Sequence, residues 1–167
     1  MAKSSFFLRG KVVTDPSAGF AQTEIDLGSY VDVLDKAVVR IHRSEVVYQD
    51  VTNPKLTPSK GAGTNATVAW QLTTQSKSGI VLADDKSLIS SGFLSISDMD
   101  SLTSEASNMN PQAWTNGYLV GVDTLYLGMH PSSTVSGDDI QVTVILECTI
   151  ESLTKEAAMA LALSQQA

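Results

Sequence analysis

Apolar and polar residues alternate with a period of two over much of this chain, and the longest such run is Ile140 to Glu151. Val142, Val144, Leu146, Cys148 and Ile150 fall on one side, and Gln141, Thr143, Glu147, Thr149 and Glu151 on the other. Only Ile145 interrupts the polar row. Successive side chains of a strand point to opposite faces, so this run predicts a strand with one buried and one wet face. Ala66 to Gln75 predicts a second, with Val68, Trp70 and Leu72 inward and Thr67, Gln71 and Thr73 outward.

Two further segments change phase partway. In Gly117 to Met129, Tyr118, Val120 and Val122 share one face, then Leu125 and Leu127 the other. This predicts either a bulge near Asp123 or a strand buried on both faces. In Ala37 to Gln49, Val39 and Ile41 have one parity and Val46 and Tyr48 the other, with His42-Arg43-Ser44-Glu45 between. Weaker strand signals cover Phe6 to Leu8, Gly10 to Thr14, Thr23 to Leu27, Ile80 to Ala83 and Gly92 to Ser97. About eight or nine strands separated by turn-forming residues predict an all-β sandwich or barrel. Val51 to Asn65 and Ser97 to Asn116 read as long polar loops, the second with a helical turn at Leu102 to Ala106.

The end of the chain has a different texture. Leu153 to Leu163 consists almost wholly of strong helix formers, with Ser152 or Thr154 placed to cap it and Glu156 near the positive end of its dipole. At about 100° per residue, Leu153, Ala157, Ala160 and Leu161 make one stripe, and Met159 and Leu163 project away from it. A helix this short is marginal alone in water and must dock. Two ridges fit two neighbours, the chain's own barrel and another subunit; a cap over one end of the barrel accounts for the helix equally well. The expected division is therefore a β domain over residues 1–151 and a helix and tail over 152–167.

Composition narrows the function. The chain has 167 residues, enough for one domain with a proper core, and its 43% hydrophobic content argues against general disorder. The net charge is −7, and Lys3, Arg9, Lys11, Lys36, Arg40 and Arg43 form no basic run. Nucleic-acid binders cluster positive charge to neutralise phosphates, so no direct contact with nucleic acid is expected. The apolar stretch Phe6-Phe7-Leu8 is too short for the core of a signal peptide, and no segment approaches the ~20 apolar residues of a membrane span.

Catalytic chemistry is poorly supplied. His42 reads as a residue of a solvated strand face and His130 as a loop residue before Pro131, with no second histidine at a metal-ligand spacing. Cys148 is the only cysteine and falls on a buried row, where a thiol behaves as a small hydrophobe. No Gly-x-Ser-x-Gly elbow occurs. Asp98-Met99-Asp100 with Glu105 lacks the glycine and spacing of an EF-hand, and Asp84-Asp85 and Asp138-Asp139 read as turns. Gly61-Ala62-Gly63 is too short to cradle phosphate, and Asn65-Ala66-Thr67 is a glycosylation sequon taken as incidental. The expectation is a protein that is not an enzyme, with no catalytic residue, no metal and no cofactor.

Two stretches carry a resemblance. One is Ile25 to Leu34 leading into Val38-Val39-Arg40-Ile41-His42; the other is Gly121 to Gly128, followed by a polar loop, the final strand and the Ala-Leu helix. In order and character they resemble the small single jelly-roll capsid proteins of tailless icosahedral viruses with an internal membrane, which infect archaea and bacteria. The resemblance implies an eight-stranded jelly roll with a short C-terminal helix, acting as a structural subunit of an icosahedral capsid shell. Such subunits assemble in the host cytoplasm and reside in the virion. Its implied partners are copies of itself and a second capsid protein, with any internal membrane reached through other proteins. Phe6, Phe7, Leu8, Met159 and Leu163 are the candidate assembly contacts. The rival expectation is a non-catalytic β-sandwich binding module for carbohydrate, or a fibre or surface-layer component. Such a module presents aromatic platforms, whereas aromatics are 6% of residues here and only Trp114, read as a loop residue, suits that role.

Overall fold

The computed structural model describes residues 4–55, 59–60, 65–97, 103–107, 112–136 and 139–166. Its strands in chain order are β1 (Phe6–Thr14), β2 (Ala21–Asp26), β3 (Ala37–Asp50), β4 (Ser59–Lys60), β5 (Asn65–Thr73) and β6 (Leu88–Ser97). They continue as β7 (Thr103–Ser107), β8 (Gln112–Val120), β9 (Thr124–Pro131), β10 (Val135–Ser136) and β11 (Ile140–Ser152), and helix α1 (Lys155–Gln166) follows. Eight of these strands pair in a nested order. The first joins the last, β1 to β11; β2 joins β9, β3 joins β8, and β5 joins β6, all antiparallel. Further pairing of β11 with β3 and of β9 with β5 closes two sheets. Their orders are β1-β11-β3-β8 and β2-β9-β5-β6, the second extended by β7, while β4 and β10 pair separately. A long ribbon wrapped in this way, with two Greek keys across two sheets, is a jelly roll.

The core lies between the sheets. Val142, Val144, Leu146 and Cys148 of β11 are fully buried, as are Val68, Trp70 and Leu72 of β5 and Leu125, Leu127 and Met129 of β9. The phase change in Gly117 to Met129 comes from a change of sheet. β8 ends at Val120, β9 begins at Thr124, and each strand offers its own inward row. The phase change in Ala37 to Gln49 has the other cause. β3 is one strand, and its register against β11 slips between Glu147 and Cys148, where Glu147 faces Arg43 and Cys148 faces Ile41. His42 is the extra residue, so Ile41 and Ser44 can both point inward. Beyond this bulge the alternation of β11 fails. Thr149 is covered and bonded to His42, while Ile150, expected inside, is 48% exposed.

Other expectations give way to tertiary contacts. Phe6 to Leu8 and Gly10 to Thr14 form a single strand. Ile80 to Ala83 is a loop bonded to the outer face of β5 through Gln71, and both Gln71 and Thr73, expected to be wet, are buried. The Gln71 amide donates to Gly79 O (2.9 Å) and accepts from Val81 N–H (2.8 Å), and the Thr73 hydroxyl donates to Gln75 O (2.7 Å). Of the predicted helical turn at Leu102 to Ala106, Leu102 lies outside the described residues and Thr103 to Ala106 fall instead on β7, which gains its backbone partners from β6. Trp114 and His130 lie on strands β8 and β9, not in loops.

Helix α1 starts at Lys155, two residues after the expected Leu153, and of the two candidate caps Thr154 serves, its Oγ1 accepting from Ala157 N–H at 3.3 Å with Glu156 in the first turn. Its docked face is not the predicted stripe. Ala158, Ala162 and Gln165 are buried, whereas Ala157 and Ala160 are exposed. Small residues permit the close approach. A Cβ on Gly121 would sit 3.1 Å from the Leu161 side chain and 3.2 Å from Ala162 N, so glycine there lets the helix backbone settle on the end of β8. Gln165 fastens it. Its amide accepts from Gly121 N–H (2.8 Å) and donates to Leu119 O (2.7 Å), and its carbonyl accepts from Thr74 Oγ1 and Gln75 Nε2, both at 3.1 Å.

Gln165→Ala leaves the buried Gly121 N–H and Leu119 C=O without those partners, so a loss of about 2–4 kcal/mol in urea unfolding is expected. Hydrogen exchange should quicken along α1 in the same variant. Burial, with the nearby Glu147 charge adding to it, pushes the Cys148 thiol from 9.0 up to about 12. Thiol reagents should therefore label it only on unfolding. Below pH 9 both folded and unfolded chains keep the proton; above it only the unfolded chain loses it, so stability should decline from about pH 9 through 12. Burial likewise raises Tyr118 above its usual 10.0, so in Cys148→Ala the decline should begin about one pH unit later, as read from denaturant midpoints.

Candidate assembly surfaces

The side chains most suited to chemistry lie apart from one another. His42 occupies the β3 bulge with Nε2 2.9 Å from Thr149 Oγ1, at the rim of a hollow of about 320 Å³ also lined by Ser5, Glu147 and Glu151. Arg40 Nε meets Glu151 at 3.1 Å beside it. His130 is exposed near the end of β9, beside a second hollow of about 310 Å³ shared with Ile80 and Ser132. Among the described residues, no group of three or more His, Cys, Asp or Glu side chains could hold a metal ion. Asp98 to Asp100 and Gly61 to Gly63 lie outside the described residues. Asp85 is a turn residue, as expected. It accepts from Ser87 and pairs with Lys77 at 2.9 Å, and these contacts hold its carboxyl down at about 2.

The candidate assembly contacts divide into two groups. Phe6 stacks on Tyr30 with ring centroids 4.8 Å apart, and Leu8 packs against the core. Phe7 points outward and is 58% exposed, on a strand at the edge of its sheet. On α1, Met159 and Leu163 are 45% and 65% exposed and lie one turn apart on the face turned away from Gly121. Phe7 and this helical pair are thus solvent-facing apolar groups on two separate elements. A groove of about 450 Å³ runs between the helix and β8, lined by Arg40, Lys86, Tyr118 and Leu161 among others. Trp114 is no free platform, because it lies 5.9 Å from Tyr118 in a tilted pair and packs against the core. No helix among the described residues is long and apolar enough to cross a membrane.

Sequence reasoning overlooked one surface. On the outer face of the β1-β11-β3-β8 sheet, Arg9, Ile145 and Glu45 occupy one cross-strand row. The next row holds Phe7, Glu147 and Arg43. These residues are far apart in the chain, and only the strand register brings them together.

No protein-family model matches the chain, and no curated protein matches it. Several solved structures are similar in outline. VP1 of human polyomavirus 12, solved in complex with 3'-sialyllactosamine, is 7% identical with a TM-score of 0.47, and the match covers 90% of this chain and 100% of that one. The unassembled VP1 pentamer of Merkel cell polyomavirus is 8% identical with a TM-score of 0.43, over 87% of this chain and 96% of that one. VP1 of trichodysplasia spinulosa-associated polyomavirus, solved with sialylated glycooligomers, is 6% identical with a TM-score of 0.46, over 89% and 96%. The jelly-roll assignment rests on this chain's own strand pairing.

Proposed function

We propose that this chain is a structural subunit of an icosahedral viral capsid, joined to copies of itself by protein–protein contacts. The observation that carries the reading is the nested pairing of eight strands into a jelly roll. That architecture also serves lectins and cupins, so the fold alone does not assign the work. The surface favours the shell. Phe7, Met159 and Leu163 are apolar and exposed on two separate elements, as a subunit with neighbours on several sides requires. Trp114, the one aromatic suited to a sugar platform, is packed against Tyr118.

The finer reading follows the sequence resemblance. We assign the chain to the coat of a tailless virus with an internal membrane, assembled in the host cytoplasm and incorporated in the virion with a second coat protein as a further partner. Residues 1–151 form the shell-building barrel and 152–167 an appended contact element. The reading includes no enzymatic activity.

Sedimentation and electron microscopy of the purified protein test the proposal, with concentration-dependent oligomers or particles expected. Met159→Asp combined with Leu163→Asp should weaken self-association by roughly 100-fold, the equivalent of about 3 kcal/mol of lost apolar burial. Both side chains are exposed, so the melting temperature should hardly move. If the pair instead lowers the melting temperature and leaves oligomer size unaltered, the helix serves only its own barrel. A wild-type protein that stays monomeric at high concentration and forms no particle would sink the capsid reading.

A further inference from the structure

The outer face of the β1-β11-β3-β8 sheet carries a charge pattern that complements itself. Arg9 of β1 stands beside Ile145 of β11, and Ile145 beside Glu45 of β3, so a cation and an anion flank one apolar side chain. Strands lie about 4.8 Å apart, which puts Arg9 and Glu45 on backbones ~10 Å apart with Ile145 between them. Arg9 is exposed and has no ion-pair partner among the described residues. Glu45 pairs with Arg43 at 2.6 Å, and both of these side chains are 47% exposed. In the adjacent row Phe7, 58% exposed, stands on β1 and Arg43 on β3, with Glu147 between them.

We propose that this face is a two-fold contact between two copies of the chain, with the symmetry axis lying in the interface along β11 and passing at Ile145. Such an axis exchanges the positions of β1 and β3. Arg9 of each copy then meets Glu45 of the other, Ile145 meets its own counterpart, and each Phe7 ring meets the other copy's Arg43 guanidinium. The other in-plane axis through Ile145 runs across the strands. It would stack Arg9 on Arg9 and Glu45 on Glu45, and like charges reject it. Packed sheets rotate by about 30° and sit about 10 Å apart. That crossing tilts the axis about 15° from β11 and leaves it passing at Ile145, so side chains nearest Ile145 move least, and the length of an arginine side chain spans the remainder.

Glu147 is the unfavourable element, because the axis brings two copies of it together, each beside its own Arg43. Three strands by four rows cover roughly 400 Å² per copy at standard strand spacings. A stable interface buries about 800 Å² per partner, so the contact is weak alone and suited to a shell in which it recurs many times. The inference rests on the self-assembly reading but uses a face separate from the helix.

The test is a charge exchange in the full chain. Arg9→Glu alone places Glu against Glu twice across the axis, and Glu45→Arg alone places Arg against Arg twice. Each variant should dimerise at least about tenfold more weakly than wild type in sedimentation velocity, with unchanged melting. Mixed in equal amounts, the two should regain wild-type affinity as a heterodimer, because both pairs are opposite again. Glu147→Gln should tighten the wild-type dimer. Loss of dimer in each variant without recovery on mixing would overturn the axis. Variants that associate as wild type does would overturn the face while leaving the capsid reading in place, and a wild type monomeric at millimolar concentration would overturn both.

Discussion

The sandwich depends on β11 lying between β1 and β3. It is the one strand of its sheet that joins the chain's beginning to its interior, and its inward row of Val142, Val144, Leu146 and Cys148 forms the floor of the core. Without it β1 has no partner in the sheet, and the nested order of pairing loses its outermost rung. The bulge at His42 then sets which residues of β3 face inward on either side of it. One inserted residue reconciles Ile41 with Ser44, and the Thr149 hydroxyl occupies the imidazole displaced by the insertion. A one-residue slip in a regular strand would send an entire row to the wrong face. Here the slip is confined to one position.

Two segments outside the two sheets, the loop beside β5 and helix α1, are fastened by amides. Gln71 secures the loop and Gln165 secures α1, and in each case the side-chain oxygen accepts a backbone N–H while the nitrogen donates to a backbone carbonyl. A primary amide can thus take the place of one rung of a neighbouring strand where none is present. The geometry is directional, so it sets the position of the helix more narrowly than the methyl groups of Ala158 and Ala162 could.

What the sequence made legible was the facing of strands with one apolar and one mainly polar row. Val68, Trp70 and Leu72, and the row from Val142 to Cys148, could be assigned because polar residues dominate the opposite row. Alternation carries no information about which sheet a strand joins, so Gly117 to Met129 looked like one strand with a fault. Buried polar residues, such as Gln71 and Thr73, look the same in sequence as wet ones. The helix stripe was misplaced because composition alone does not say which face meets the sheet: Leu161 of that stripe does lie against Gly121, but Ala157 and Ala160 face solvent while Ala158, Ala162 and Gln165 are buried. The exposed Phe7, Met159 and Leu163 could be picked out from local pattern. The row of Arg9, Ile145 and Glu45 could not, because no local spacing brings together residues from three strands so distant in the chain.

Nested pairing also has a temporal side. Thr14 meets Ile140, so β1 leaves the ribosome more than a hundred residues before its partner. At ~5–20 residues per second the delay is about 6–25 s, far longer than a hairpin needs to form. β5 with β6 and β6 with β7, neighbours in both sequence and sheet, can pair early; the rungs that join distant strands wait for the chain to emerge. The nascent polypeptide therefore passes through a stage with Phe6 to Thr14 as an unclaimed strand, and completion of the last strand releases the whole sandwich to close at once. A cell making many copies would hold a standing pool of chains at that stage, its size set by the rate of translation.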